Sequence, residues 1–400
     1  MYANMLVSGN LDELPEPGPI AHSNSVQIDS LIRKAIKDSG GKISLEKFME
    51  IALYEPELGY YVSVNRIFGE GGDFVTAPEL SPVFSHCIAR QIAQVFHLLP
   101  QEKNILEFGA GSGVLALECL RELERLDCLP DRYYIYDISP ALRERQYIKL
   151  QASIPHLVDR VTWLEEFPQT FNGCIIANEV LDAMPVHRVK FRPDEQDQEV
   201  VIELKDDQFQ WTAGELSPEL KQQIKKIRET VPDIADGYES EINLRAQAWI
   251  KSLSEIMQSG LVIAIDYGYS RKEYFQPTRY EGTLMCHYQH LAHGNPLLYP
   301  GIQDITSHVD FTDIAETAYD AGFDILGYTS QAFFLAGCGL ESMYNDLDAD
   351  DMQKFLAITQ PIKQLVMPNE MGELFKVIGL GKNIDEPLIG FSALNQLAHL

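Results

Sequence analysis

Apolar positions along the chain follow two alternating periods, and the alternation predicts an α/β protein with a doubly wound, largely parallel sheet. Short runs of strand length recur at NILEF (104–108), YYIYD (133–137), RVTWL (160–164), GCIIAN (173–178), LVIAIDYG (261–268), FDILGYTS (323–330) and ELFKVIGL (373–380). Runs with helical spacing stand between them. VLALECLRELERL follows the first strand, PALRERQYIKLQ follows the second behind a capping Ser139, and LRAQAWIKSLSEIMQSG precedes the fifth. Asp310 caps FTDIAETAYDAG, and residues 331–371 read as mostly helical.

The ends of the chain and one internal stretch depart from this rhythm. Residues 1–24 include LDELPEPGP, have little to bury and read as a flexible arm. Residues 25–100 read as a helical N-terminal region: helical spacing begins at 27, Ser44 caps LEKFMEIALYEP, and a further helix runs to about Leu99. Residues 101–190 and 240–400 make the core. Between them, 191–239 carry a charged turn, RPDEQDQE, a hairpin through VVIELKDDQFQW and the helix PELKQQIKKIRETV, an insertion into the sheet.

The first strand runs into a turn, FGAGSG, with glycines at 109, 111 and 113. Glycine has no Cβ, so the backbone can bend sharply there while a ligand lies against it. Asp137, ending the second strand, sits where an acid commonly bonds ribose hydroxyls, so the ligand should contain a nucleoside. A dinucleotide fingerprint needs a third glycine at 114, which is Val114. S-adenosylmethionine, with a ribose and no pyrophosphate, suits this turn better; a dinucleotide oxidoreductase remains the alternative.

Composition narrows the choice. The formal net charge of −27 repels phosphate backbones and argues against nucleic acid. It suits a cationic partner, or simply solubility. Six cysteines without a C-x-x-C pair argue against a zinc site or a disulfide framework and for a reduced, cytoplasmic setting. No apolar run approaches membrane-spanning length, and the first 25 residues hold no Lys or Arg, unlike a signal or transit peptide.

Eight separated blocks then carry a resemblance. GGDFVTAPELSPVF, LEFGAGSG, YDISPALRERQ, IANEVLDAMPVHR, IDYG, GTL, PGIQDITSHVDF and MGELFKV occur in this order between about Gly59 and Val377. Together the chain resembles the MidA family of S-adenosylmethionine-dependent methyltransferases. The resemblance implies a seven-stranded Rossmann-like class I methyltransferase sheet, with the N-terminal region closing over S-adenosyl-L-methionine. It implies cofactor contacts from Gly72, Asp73, Thr76, Pro78 and Glu79. Further contacts are expected from Gly109, Ala110, Gly111, Ser112, Gly113, Asp137, Ile138 and Asn178. One departure is Ala110, where the family more often has proline. The mitochondrial member of that family is a complex I assembly factor that dimethylates an arginine, so the implied partner is an arginine-bearing protein, such as a complex I core subunit.

In a doubly wound sheet the chemistry gathers at the carboxyl ends of strands, which places NEVLDAMPVH beside the methyl donor. If 179–183 form a helical turn, Glu179 and Asp182 share a face before Pro185 stops it. Two carboxylates can orient a guanidinium and one can take its proton, so this pair is the catalytic candidate. The competing reading has Asn178 and Glu179 hold the cofactor or cap a helix. Tyr267, His287, Asp304 and His308, with Gln303 and Thr306, are expected to wall the substrate site. Glu165 or Glu166 is a candidate for the adenine amino group. Four of the ten histidines fall within 283–311, yet no metal-ligand spacing such as H-E-x-x-H occurs, so no metal is expected. A cofactor-binding assembly chaperone with little turnover is the second functional reading.

Overall fold

The structure, a computed structural model, describes residues 14–63, 76–100, 102–192, 196–343 and 352–400. The central sheet is built from β1 (Asn104–Phe108), β2 (Arg132–Tyr136), β3 (Val161–Leu164), β4 (Phe171–Asn178), β5 (Met257–Tyr269), β6 (Asp324–Ser330) and β7 (Phe375–Lys382). Their order across the sheet is β6-β7-β5-β4-β1-β2-β3. Neighbours run parallel except β7, which is antiparallel to both β5 and β6. The sheet has eight strands rather than the seven expected, because Val309–Asp310 pairs in parallel with Gly268–Tyr269. Two residues are too short to show a period of two in sequence.

Alternate residues of the central strands feed two separate cores. Ile105, Cys174, Ile176, Leu261, Ile263 and Ile265 pack with the helices Pro82–Leu98 and Val114–Arg125 on one face. Leu106, Phe108, Ile175, Ala177, Val262 and Ala264 pack with the helices Leu244–Ile256 and Phe311–Asp320 on the other. Both faces are covered, which is why these strands read as continuous apolar runs.

A second, five-stranded antiparallel sheet joins Lys42–Ser44, Gln198–Lys205, His187–Lys190 and Glu239–Ile242 in that order, with Gln208–Gly214 paired to Gln198–Lys205. It therefore combines the excursion after β4 with a strand from the N-terminal region. Its tight turn is Asp206–Asp207, both at positive φ (49° and 62°), as a two-residue hairpin loop requires. The first helix begins at Pro19 rather than near 27, with Gly18 as N-cap and proline at its first position. Its opening turns are largely exposed, so no apolar period marks them.

The N-terminal helices Pro19–Asp38 and Leu45–Tyr54 share a core with this sheet and with a three-stranded sheet of Met285–Tyr288, Leu291–His293 and Asp304–Thr306. Ile28, Phe48, Ile202, Cys286 and Ile305 meet there. That shared core seats Tyr61 and Asp304 opposite the carboxyl ends of the central strands.

Candidate active site

A cleft with about 820 Å³ of atom-free space, partly open to solvent, lies at the carboxyl ends of β1, β4 and β5. The floor is the glycine turn. Gly109, Gly111 and Gly113 all have positive φ (61°, 51° and 79°). The Gly109 N–H extends the ladder to the Tyr136 carbonyl (3.0 Å), and Gly113 donates to the Ala110 carbonyl (2.8 Å) before capping the helix Val114–Arg125.

Asp137 braces this turn from below. Its carboxylate accepts the Ser139 N–H (3.0 Å) and Gln146 Nε2 (2.8 Å), and the same Gln146 amide donates to the Gly111 carbonyl (2.9 Å). Trp163 Nε1 completes the network on Gln146 Oε1 (2.8 Å). Asp137, which is turned inward, Gly113, which is buried, and Ile138, which is exposed, are not among the residues lining the cleft. Ala at position 113 would force φ near +79° on a residue with a Cβ and bring that carbon 3.2 Å from Gln146 Cγ. The expected cost of Gly113→Ala is about 1–2 kcal/mol, read by urea unfolding.

The walls are acidic. Glu79, Glu107, Glu179, Asp182 and Asp304 line the cleft, and its described lining contains no Lys or Arg. Glu107 is buried and accepts the Tyr133 hydroxyl (2.8 Å); burial pushes it up to about 8. Glu179, at φ +54°, accepts Asn178 Nδ2 (3.1 Å) and the Ala77 N–H, yet burial and the charge of Asp266 push it up to about 8. Asp182 is held well above the carboxylate range, first by burial and then by Asp266, Asp304 and Glu179. Asn178 Oδ1 is buried without a hydrogen-bond partner and belongs to the same lining, an acceptor that a ligand's ammonium can satisfy.

The loop carrying the acid pair is not a helical turn. Residues 179–184 form bends and a turn, wrapped around Asp266 at the end of β5, whose Oδ2 accepts the N–H groups of Val180, Leu181 and Asp182 (3.1, 2.8 and 3.2 Å). Glu179 and Asp182 nevertheless reach the same cleft.

Thr76, Pro78, Gly109, Ala110, Gly111, Ser112, Tyr267 and His287 also line it, as does Thr306. Gly72 and Asp73 lie outside the described residues. Gln303 is fully buried and donates to the Pro296 carbonyl (2.9 Å), holding a loop. Glu165 is exposed and faces Arg143 (3.9 Å), outside the cleft. His308 lies against a separate small cavity, between the rings of Tyr267 (6.3 Å) and Tyr269 (5.4 Å), with burial lowering it to about 4. Between cleft and cavity, the Ser307 N–H donates to the Asp182 carbonyl (3.0 Å).

Sequence reasoning passed over Glu107 and Tyr61. An acid within an apolar strand was the available signal for Glu107. Tyr61 donates its hydroxyl to Asp304 across the cleft, and its ring packs on Tyr54 (5.5 Å). No local pattern marks that pair.

The crowded carboxyls make stability pH-dependent. Glu107 and Glu179 titrate near 8 when folded and roughly 4.3 when unfolded. Between those values the unfolded chain binds fewer protons than the folded one, so stability falls as pH rises. Urea unfolding of the ligand-free protein should show a decline of several kcal/mol between pH 5 and pH 8. A cationic ligand in the cleft flattens it.

Comparisons with known proteins agree with this geometry. The model of the S-adenosyl-L-methionine-dependent methyltransferase family Methyltransf_28 matches residues 87–329. A crystal structure of a protein from Burkholderia thailandensis bound to S-adenosyl-homocysteine is 39% identical, with a TM-score of 0.91, over 97% of this chain and 100% of that one. The mitochondrial protein arginine methyltransferase NDUFAF7 homolog of Drosophila melanogaster is 25% identical over 95% of this chain and 92% of its own. Human mitochondrial protein arginine methyltransferase NDUFAF7 is 23% identical over 86% of this chain and 80% of its own.

Proposed function

Because the chain belongs to the Methyltransf_28 family of S-adenosyl-L-methionine-dependent methyltransferases, we propose that the group it methylates is the guanidinium of an arginine on a protein. The observation that carries this reading is a cleft walled by five carboxyl groups with no Lys or Arg among its described lining. A guanidinium, with a pKa of roughly 12.5 to 13.8, arrives as a cation and meets those acids with a planar fork of donors. The names of the relatives, protein arginine methyltransferases, point the same way.

The residues present fit the cofactor. The glycine turn leaves main chain open to a nucleoside, Asn178 Oδ1 awaits a donor, and Thr76 and Glu79 stand at the same wall. Bound S-adenosyl-L-methionine supplies an electrophilic methyl group on a sulfonium. Glu179 and Asp182 accept hydrogen bonds from the guanidinium and draw its charge away from the attacking nitrogen. A nitrogen that took the methyl as its bond to the sulfonium broke, leaving S-adenosyl-L-homocysteine, would give up its proton to one of these carboxylates, whose raised affinity for a proton suits the task. Asp304, held by the Tyr61 hydroxyl, supplies a third acceptor at the rim.

The proposal extends to a respiratory-complex-type subunit as carrier of the arginine. It also places the protein in a reducing, cytoplasmic compartment, with all six cysteines buried and unpaired in support. Mass spectrometry of arginine methylation in cells with and without the gene tests the substrate class. An arginine site that loses its methyl groups on deletion is expected, and an unchanged set of methylarginines would overturn it.

A further inference from the structure

We infer that Asp266 is the positioning residue of the acid pair: through three backbone hydrogen bonds it fixes the loop that presents Glu179 and Asp182, and through a fourth it holds Tyr267 beside them. The inference rests on the reading of that pair as the guanidinium-binding acids. Asp266 has no exposed surface and does not line the cleft. Its two oxygens accept the N–H groups of Val180, Leu181, Asp182 and Tyr267, the last at 2.9 Å. Three consecutive amides converging on one oxygen form an anion-binding concavity, here filled by the protein's own carboxylate.

The contacts reach the site from two sides. The loop they bind starts at Glu179, whose positive φ of 54° is held from its other side by its N–H bond to the Ile265 carbonyl (2.9 Å). A non-glycine residue adopts that backbone only where neighbours over-determine it. The fourth contact fixes Tyr267, another wall of the cleft.

The described lining of the cleft holds no Lys or Arg to screen Asp266 from the pair. Lys376 sits opposite it in the β5–β7 ladder, but its ammonium binds the Glu373 carboxylate (2.6 Å). The other ionisable side chains of the described lining are Glu79, Glu107, Asp304, Tyr61, Tyr267 and His287, with Tyr54 packed on Tyr61; of these, Asp304 adds its charge to the effect on both acids. Burial pushes Asp266 up to about 7, while the four N–H donors favour its anion. Its charge, only a loop's width away, then disfavours ionisation of Glu179 and Asp182.

The test compares D266N, which keeps one acceptor oxygen and removes the charge, with D266E, which keeps the charge and displaces the oxygens. Both should lower kcat on the order of 10²-fold, as expected when a reacting group is misplaced by about an ångström. S-adenosyl-L-homocysteine affinity should stay within about threefold, since neither oxygen faces the cleft. Only D266N should move the ascending limb of the pH–kcat profile, to lower pH by about one unit. An unmoved limb, or a kcat loss that merely follows the folded fraction, would make Asp266 structural and overturn the inference. Full activity in E179Q/D182N would instead sink the reading beneath it. Should D266N not fold, hydrogen exchange on the wild type decides: amides of Val180, Leu181 and Asp182 protected like those of β5 support the inference, and exchange at loop rates overturns it.

Discussion

The double variant E179Q/D182N should lose methyl transfer by about 10²–10⁴-fold while keeping S-adenosyl-L-homocysteine affinity within about threefold. Gln and Asn preserve shape but present an amide nitrogen where a guanidinium needs an acceptor, and neither can take the departing proton. The same change relieves a cluster in which burial and the charges of Asp266 and Asp304 raise the proton affinity of Glu179 and Asp182. Thermal stability should therefore hold or rise as activity falls, the trade expected of a site strained for function. Complementing a deletion strain with the variant and following arginine methylation by mass spectrometry gives the activity; calorimetry gives the affinity. Retained methylation would exclude the pair. A chaperone whose role does not depend on turnover would complement without methylating.

Much of the scaffold was legible in sequence because each central strand is buried on both faces and announces itself as an apolar run. The glycine turn was equally plain, since three glycines at alternate positions serve a backbone with positive φ at each. The second sheet was only half visible. The N-terminal region gives it just Lys42–Ser44, three residues that read as the lead-in to a capped helix. Partners far apart along the chain were invisible too: Tyr61, in the turns after the helix Leu45–Tyr54, meets Asp304 of the three-stranded sheet, and nothing near either one marks the other. Asp137 shows a different limit. Sequence places an acid at the end of β2, but only the neighbouring Gln146 decides that its carboxylate turns inward to brace the glycine turn. Asp304 and Thr306 line the cleft, whereas Ser307 and His308, the next two residues, lie against the separate small cavity.

Arg271→Met should destabilise the protein by about 3–5 kcal/mol, the cost of leaving buried charges without their partner. The Arg271 side chain is 1% exposed. Its guanidinium binds Asp310 through Nε (3.0 Å) and both oxygens of Glu316 (2.9 and 2.8 Å), with Asp313 at 3.6 Å. Burial and Asp310 already push Asp313 up to about 6 with the arginine present. Without it, Asp310 and Asp313 hold protons more tightly still when folded, against roughly 3.9 when unfolded. The folded variant then binds more protons than the unfolded chain across a wider range, so its deficit should grow between pH 5 and pH 8. Urea unfolding at both values measures this, and a deficit below about 1 kcal/mol at pH 8 would refute the assignment. Adding D310N and D313N should recover a large part of the loss, because the repulsion goes with the charges. The pair matters to the cleft through geometry. Arg271 stands just beyond β5, which carries Asp266 and Tyr267, and its partners lie on the helix that begins three residues past His308. Loosening that joint frees the end of β5, and with it the loop on which the two acids are presented.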